Sequence, residues 1–244
     1  MKLGFLFATA VFGTTIEIDE SDTVRSVAEK FESAELEQPF DEEELGNGLV
    51  RSGGGIEERN FKKWKVLLKF FNRENPDFSY KHLAMYGCQC GALGKDGKYD
   101  FYGRGAGQAL DELDEACKEY SSCLKCLGEA HGDECSPSSR YKLRLDTDAG
   151  SATCRAKEGS CKQNLCKCDT QFAERVSAVY AESYGAEKKD YDRSQCVRGA
   201  STRQPKQCCG TKDTFPLNRP YRAFSQCCDA SSAGVYELGS DQCP

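Results

Sequence analysis

Cysteine is missing from the first 87 residues, and histidine is scarce throughout, with only His82 and His131. So few imidazoles leave two places for histidine chemistry. They also argue against zinc, which draws on histidine or on clustered CxxC pairs, and Cys123-Leu-Lys-Cys126 is a lone CxxC. Long apolar runs are lacking too. The run Leu3 to Phe12 spans about ten residues where a membrane-crossing helix needs about 20, so no transmembrane segment is expected. Placed behind Met1-Lys2 and followed by Gly13-Thr14-Thr15, that run reads as a secretory leader over about 1–16. A sustained cationic surface is also absent: 33 Lys and Arg stand against 39 Asp and Glu, for a net charge of -6. That balance excludes the electrostatic footprint of a nucleic-acid binder.

What the chain has in quantity is cysteine, 16 of them, all from Cys88 onward. This density belongs to a disulfide framework formed in an oxidising compartment, and it predicts a secreted, extracellular protein. Residues 17–59 are acidic, carry the run Asp41-Glu-Glu-Glu44, and end near Ser52-Gly-Gly-Gly55. They read as a disordered pro-segment or linker, with a short amphipathic helix over Val24 to Phe31. Dense carboxylates of this kind hold hard cations weakly and diffusely.

Three helices are predicted beyond that segment. Over 60–73, Phe61, Trp64, Leu67, Leu68 and Phe71 share one face while Lys62, Lys65, Lys69 and Arg73 share another, and Pro76 prevents continuation. Over 109–126, Asp111, Leu113, Asp114, Cys117, Tyr120 and Ser121 fall near one face. Over 161–182, Cys161, Leu165, Cys168 and Phe172 point inward. Between the last two, Tyr141-Lys-Leu-Arg-Leu145 alternates in polarity and Asp148-Ala-Gly150 supplies a turn, which fits a hairpin. The fold class is mainly α and disulfide-rich.

The segments Tyr86-Gly-Cys88-Gln-Cys90-Gly91 and Asp111-Glu-Leu-Asp114-Glu-Ala-Cys117-Lys-Glu-Tyr120-Ser121-Ser-Cys123 carry a family resemblance. They resemble the secreted phospholipase A2 pattern YGCxCG, a glycine-rich calcium loop, then DxxDxCCxxHDxC. The resemblance covers 60–197 and implies a core of three main helices plus a small β-wing. It also suggests a mature start at Asn60, after processing at Arg59. Members of this family hydrolyse the sn-2 ester of phospholipids with a His–Asp dyad and a calcium ion. In register, Tyr120 occupies the catalytic histidine position, Ser121 the calcium-ligand aspartate position, and Asp169, in Cys166-Lys-Cys168-Asp169, the orienting aspartate position. A tyrosine with an ordinary pKa of about 10 is a poor base near neutrality. It is expected to hydrogen-bond Asp169 as a structural pair. The resemblance places any calcium at Gln89, Gly91, Gly94 and Ser121. Loss of the carboxylate weakens that site, and an insertion containing Asp96, Asp100 and Gly103-Arg-Gly105 alters its loop.

The family's pairing scheme implies the bridges Cys88–Cys196, Cys90–Cys117, Cys123–Cys168, Cys135–Cys161 and Cys154–Cys166. One family bridge loses both ends together, at Ala116 and Arg175. Cys126, Cys208, Cys209, Cys227, Cys228 and Cys243 are extra, an even set in which Cys126 is free to tether the tail. Residues 198–244, with Cys208-Cys-Gly210, Pro220-Tyr221 and Cys227-Cys228, resemble a galaxin-like di-cysteine repeat, galaxins being matrix proteins of coral skeletons. A plain disulfide-stapled extension is the other reading of this tail. In the phospholipase family the first helix lines the lipid channel, which makes Phe61, Trp64, Leu68 and Phe71 the candidate lipid contacts or core residues.

These readings converge on a secreted, catalytically inactive phospholipase A2-like protein associated with extracellular matrix or mineral, similar in outline to otoconins. Two alternatives stand beside it. One is a calcium-dependent phospholipase A2 working through a shifted base. The other is a toxin-like homologue that binds a phospholipid surface through the Trp64 helix.

Overall fold

The computed structural model describes residues 14–19, 21, 26, 29–30, 63–93, 99–100, 105–137, 139–197 and 206–243. The expected helix over Val24 to Phe31 falls largely outside these residues, as do Phe61, Gly94, Asp96 and Arg59.

The first long element is α1, Lys63–Phe71. Its apolar face is broader than the wheel suggested: Val66 and Phe70 are buried along with Trp64, Leu67 and Leu68, whereas Phe71 is half-buried. Lys63 is buried as well, and its ammonium donates to the backbone carbonyls of Asp19 and of Tyr141, the latter at 2.6 Å. A charge can enter the core here because backbone acceptors replace its water. Beyond Tyr86, a short ladder joins β2, Ala92–Leu93, to β3, Tyr99–Asp100.

Helix α2, Glu112–His131, starts at Asp111, whose carboxylate accepts from the Asp114 amide at 2.8 Å. Glu112, Asp114 and Glu115 in the first turn suit the positive end of the helix dipole. The helix stops at Gly132, where φ is +62°, and not at residue 126. Gly128 lies inside it at a cost of about 1 kcal/mol relative to alanine, which burial of the neighbouring Cys126 and Leu127 offsets. Helix α3, Cys161–Ser183, is capped by Ser160. Contacts between residues 112 and 175, 120 and 169, 123 and 168, and 131 and 164 show that α2 and α3 run antiparallel.

The predicted hairpin forms from β4, Leu143–Asp146, and β5, Ser151–Cys154. A third strand was not expected. β1, Thr15–Ile18, pairs antiparallel with β4, setting Ile16 opposite Leu145 and Ile18 opposite Leu143. Assigning residues up to 16 to a leader and those from 17 to disorder therefore misses this strand. The physical reason is burial: Ile16 and Ile18 are only 3% and 1% exposed and belong to the same core as Leu143 and Leu145. Arg144 pairs with Glu17 at 3.5 Å and Lys142 with Asp19 at 3.3 Å on the outer side.

The C-terminal residues form two hairpins, β6, Gln207–Cys209, with β7, Arg219–Tyr221, and β8, Gln226–Asp229, with β9, Gly234–Glu237. The first of these lies against α2 and the second against β7, and Phe215 enters the main core. All 16 cysteines are bonded. Five bridges carry the pairings that the family scheme implies, Cys88–Cys196, Cys90–Cys117, Cys123–Cys168, Cys135–Cys161 and Cys154–Cys166. The other three are Cys126–Cys208, Cys209–Cys228 and Cys227–Cys243, so each adjacent pair bonds to two different strands or segments. Among the described residues, no helix is long and apolar enough to cross a membrane.

Candidate functional site

Antiparallel packing of α2 on α3 brings Tyr120 and Asp169 together, both buried. The Tyr120 hydroxyl donates to Asp169 Oδ1 at 2.7 Å. A second phenol completes the arrangement, because Tyr141 donates to Asp169 Oδ2 at 2.6 Å. Phe172 stacks on the Tyr120 ring with centroids 4.4 Å apart. The carboxylate thus accepts a hydroxyl proton on each oxygen in a site closed to solvent. Removing the Tyr120 proton would leave a phenolate 2.7 Å from a carboxylate, two like charges in a poor dielectric. The group at the histidine position is therefore held as a donor, whereas a general base must accept.

Tyr141 was not singled out from sequence as a site residue. A signal for it existed: with a period of two, Tyr141 faces the same way as Leu143 and Leu145, which are all buried. A tyrosine buried to that depth needs a partner for its hydroxyl.

Ser121, one position on, is half-buried and donates to the Lys118 carbonyl at 3.0 Å, a bond within its own helix turn. Gln89 and Gly91 lie in the loop that α2 anchors. The buried Asp114 carboxylate accepts from the amides of Cys88 at 2.9 Å, Gln89 at 2.7 Å and Leu110 at 3.0 Å. Burial pushes its carboxyl up from the ordinary range, the three amide bonds pull it back, and Asp111 adds to the rise. Gly87 has φ +56° and backs onto Asp114, where an added Cβ would lie 2.5 Å from the carboxyl carbon. The loop comes this close only because residue 87 has no side chain. Gly105 similarly leaves room for Cys88, whose carbonyl accepts from the Ala106 amide at 3.1 Å. Arg193 donates to the Cys90 carbonyl at 2.8 Å, bringing a cation to the same loop. Calcium asks for several oxygen ligands including carboxylates. A neutral hydroxyl at Ser121 and a guanidinium beside Cys90 make these residues a poor fit for that ion.

Each histidine has its own partners away from Asp169. His82 Nδ1 lies 2.5 Å from the Tyr180 hydroxyl and its ring stacks on Tyr184 at 4.7 Å. Burial, and then the Lys189 charge, hold its pKa below the usual imidazole value. His131 Nε2 lies 3.1 Å from Asn164 Nδ2. Asn164 precedes Asp169 by five residues, which on a helix turns it about 140° away. Both imidazoles are half-buried among protein groups.

Of the candidate lipid contacts, Trp64 and Leu68 are placed inward and Phe71 is half-buried, while Phe61 lies outside the described residues. Trp64 and Leu68 are 4% and 0% exposed, and Trp64 meets Tyr80 edge to face at 6.0 Å. Where the family bridge is lost, Ala116 is buried and Arg175 pairs with Glu112 and, at 3.9 Å, with Glu119.

Comparison with known proteins finds phospholipases A2 among the relatives. Over 89 residues the chain is 34% identical to a basic phospholipase A2 of Micrurus corallinus, taking in 36% of this chain and 52% of that protein. Over 114 residues it is 34% identical to basic phospholipase A2 nigroxin A of Micrurus nigrocinctus, taking in 47% of this chain and 81% of the relative. A phospholipase A2 of Calliactis polypus is 27% identical over 136 residues, 56% of this chain and 73% of its own length. The match thus spans about half of the first relative and more of the other two. No protein-family model matches the chain.

Proposed function

The chain belongs to the phospholipase A2 family, and from that premise we propose that it is an extracellular, non-hydrolytic member that acts by binding. The observation that carries this reading is the pair of phenols on Asp169. Hydrolysis needs an imidazole that takes a proton from water and a carboxylate that orients it. Here the carboxylate is committed to Tyr120 and Tyr141, and the residue after Tyr120 brings no negative charge for a metal. Loss of a general base alone removes about a hundred- to ten-thousand-fold in rate.

Association with extracellular matrix or mineral is the binding role proposed. It is supported by the acidic stretch over 17–59, by the di-cysteine tail, and by a disulfide density suited to a persistent extracellular protein. Lipid capture through α1 has less support, since Trp64 and Leu68 lie in the core. The test is adsorption of the purified full-length protein to calcium carbonate particles and to insoluble extracellular matrix. Depletion from solution, reversed by chelation or by soluble polyanion, is the expected result. A protein that stays uniformly in solution with both materials overturns the proposed partner.

A further inference from the structure

The seam between α2 and the C-terminal hairpins gathers positive charge from three segments. Lys118 and Lys125 stand seven residues apart on α2, hence on one face and about 10 Å apart along the axis. Lys206 precedes β6 and Arg222 follows β7. The pairing of Gln207 with Tyr221 sets these two cations at facing positions just beyond the ladder. Lys125 Nζ donates to the Lys206 carbonyl at 2.7 Å, so helix and hairpin meet there. Burial, and then the charges of Arg222, Lys125 and Lys118, hold the Lys206 pKa below its ordinary value.

The two ends of this cluster are balanced differently. On the helix, Glu115 lies 2.8 Å from Lys118 and Glu129 lies 3.0 Å from Lys125. On the hairpin, neither Lys206 nor Arg222 forms an ion pair among the described residues. Like charges facing each other across neighbouring strands are destabilising. The Cys126–Cys208 bridge holds β6 to α2 beside Lys125, so helix and hairpin cannot move apart to escape this repulsion. A bound anion would relieve it.

We propose that this seam is a docking site for a linear sulfated polysaccharide. Sulfate groups stay ionised and offer only acceptor oxygens, which suits a row of Lys and Arg donors. The cations run along a helix and across to one hairpin end, a strip and not a plane. With a net charge of -6 the whole molecule repels an extended anionic bilayer, whereas a thin chain meets only the local strip. The proposal goes beyond the non-hydrolytic reading and does not depend on it.

The experiment uses the full-length protein on immobilised heparin at about 0.15 M salt, with calorimetry against a heparin oligosaccharide. The unmodified protein is expected to be retained and released by a salt gradient. Lys206→Gln/Arg222→Gln should elute at lower salt and bind the oligosaccharide about tenfold more weakly. Lys118→Gln, which leaves the hairpin untouched, should weaken binding in the same direction. A charge-matched variant at two exposed lysines elsewhere, Lys157→Gln/Lys162→Gln, should behave as the unmodified protein. Failure of the unmodified protein to bind overturns the proposal. So does equal loss in seam and control variants, or capture by phosphatidylserine vesicles without binding to the oligosaccharide.

Discussion

Asp169 needs partners because it is a carboxylate 3% exposed to solvent, and Tyr120 and Tyr141 supply them from α2 and from the start of the β-wing. Asp169 is thereby a junction between elements. Tyr120→Phe leaves the ring and its stacking on Phe172 and removes only the hydroxyl. A hydrogen bond to a charged group contributes about 1.5–3 kcal/mol. Equilibrium denaturation should therefore show Tyr120→Phe less stable by that amount, and a change within about 0.5 kcal/mol would mean the bond is not structural. The Tyr120–Asp169 pair was legible because the cysteines around both residues set the register. Tyr141 was not, since its signal is one of alternation and its partner lies 28 residues away. Asp114 was visible as part of a helix face, but its bonds to Cys88, Gln89 and Leu110 depend on a loop geometry that sequence does not give.

At the level of elements, the helices followed from periodicity and caps, and their ends did not. α2 runs past the expected residue 126 because Leu127 is buried and Gly132 provides the stop. β1 shows the same limit more strongly. Thr15-Ile-Glu-Ile18 alternates in polarity, yet it adjoins an apolar run on one side and an acidic stretch on the other, and those compositions dominated the reading. Its two isoleucines complete the apolar face made by Leu143 and Leu145. Replacing a buried isoleucine by alanine costs about 2–5 kcal/mol. Ile16→Ala/Ile18→Ala should accordingly lower the denaturation midpoint and speed amide exchange at Leu143 and Leu145, whose amides face β1. Unchanged midpoint and exchange would show that β1 does not belong to the folded wing.

Across the whole molecule, the cysteines divide by how they could be read. Ten followed a family scheme, whereas six extra cysteines allow 15 pairings and spacing does not choose among them. The structure joins them so that the tail is bound to α2 through Cys126–Cys208 and contributes Phe215 to the main core. Family membership accounts for the architecture, while the proposed non-hydrolytic function rests on the residues at its centre. That proposal is most directly tested by fatty-acid release from the sn-2 position of phospholipid vesicles, measured with the purified, unmodified chain in millimolar calcium. A non-hydrolytic member predicts no release above the protein-free control. Sustained release in proportion to protein concentration would contradict the reading of Tyr120 and Asp169 as a structural pair.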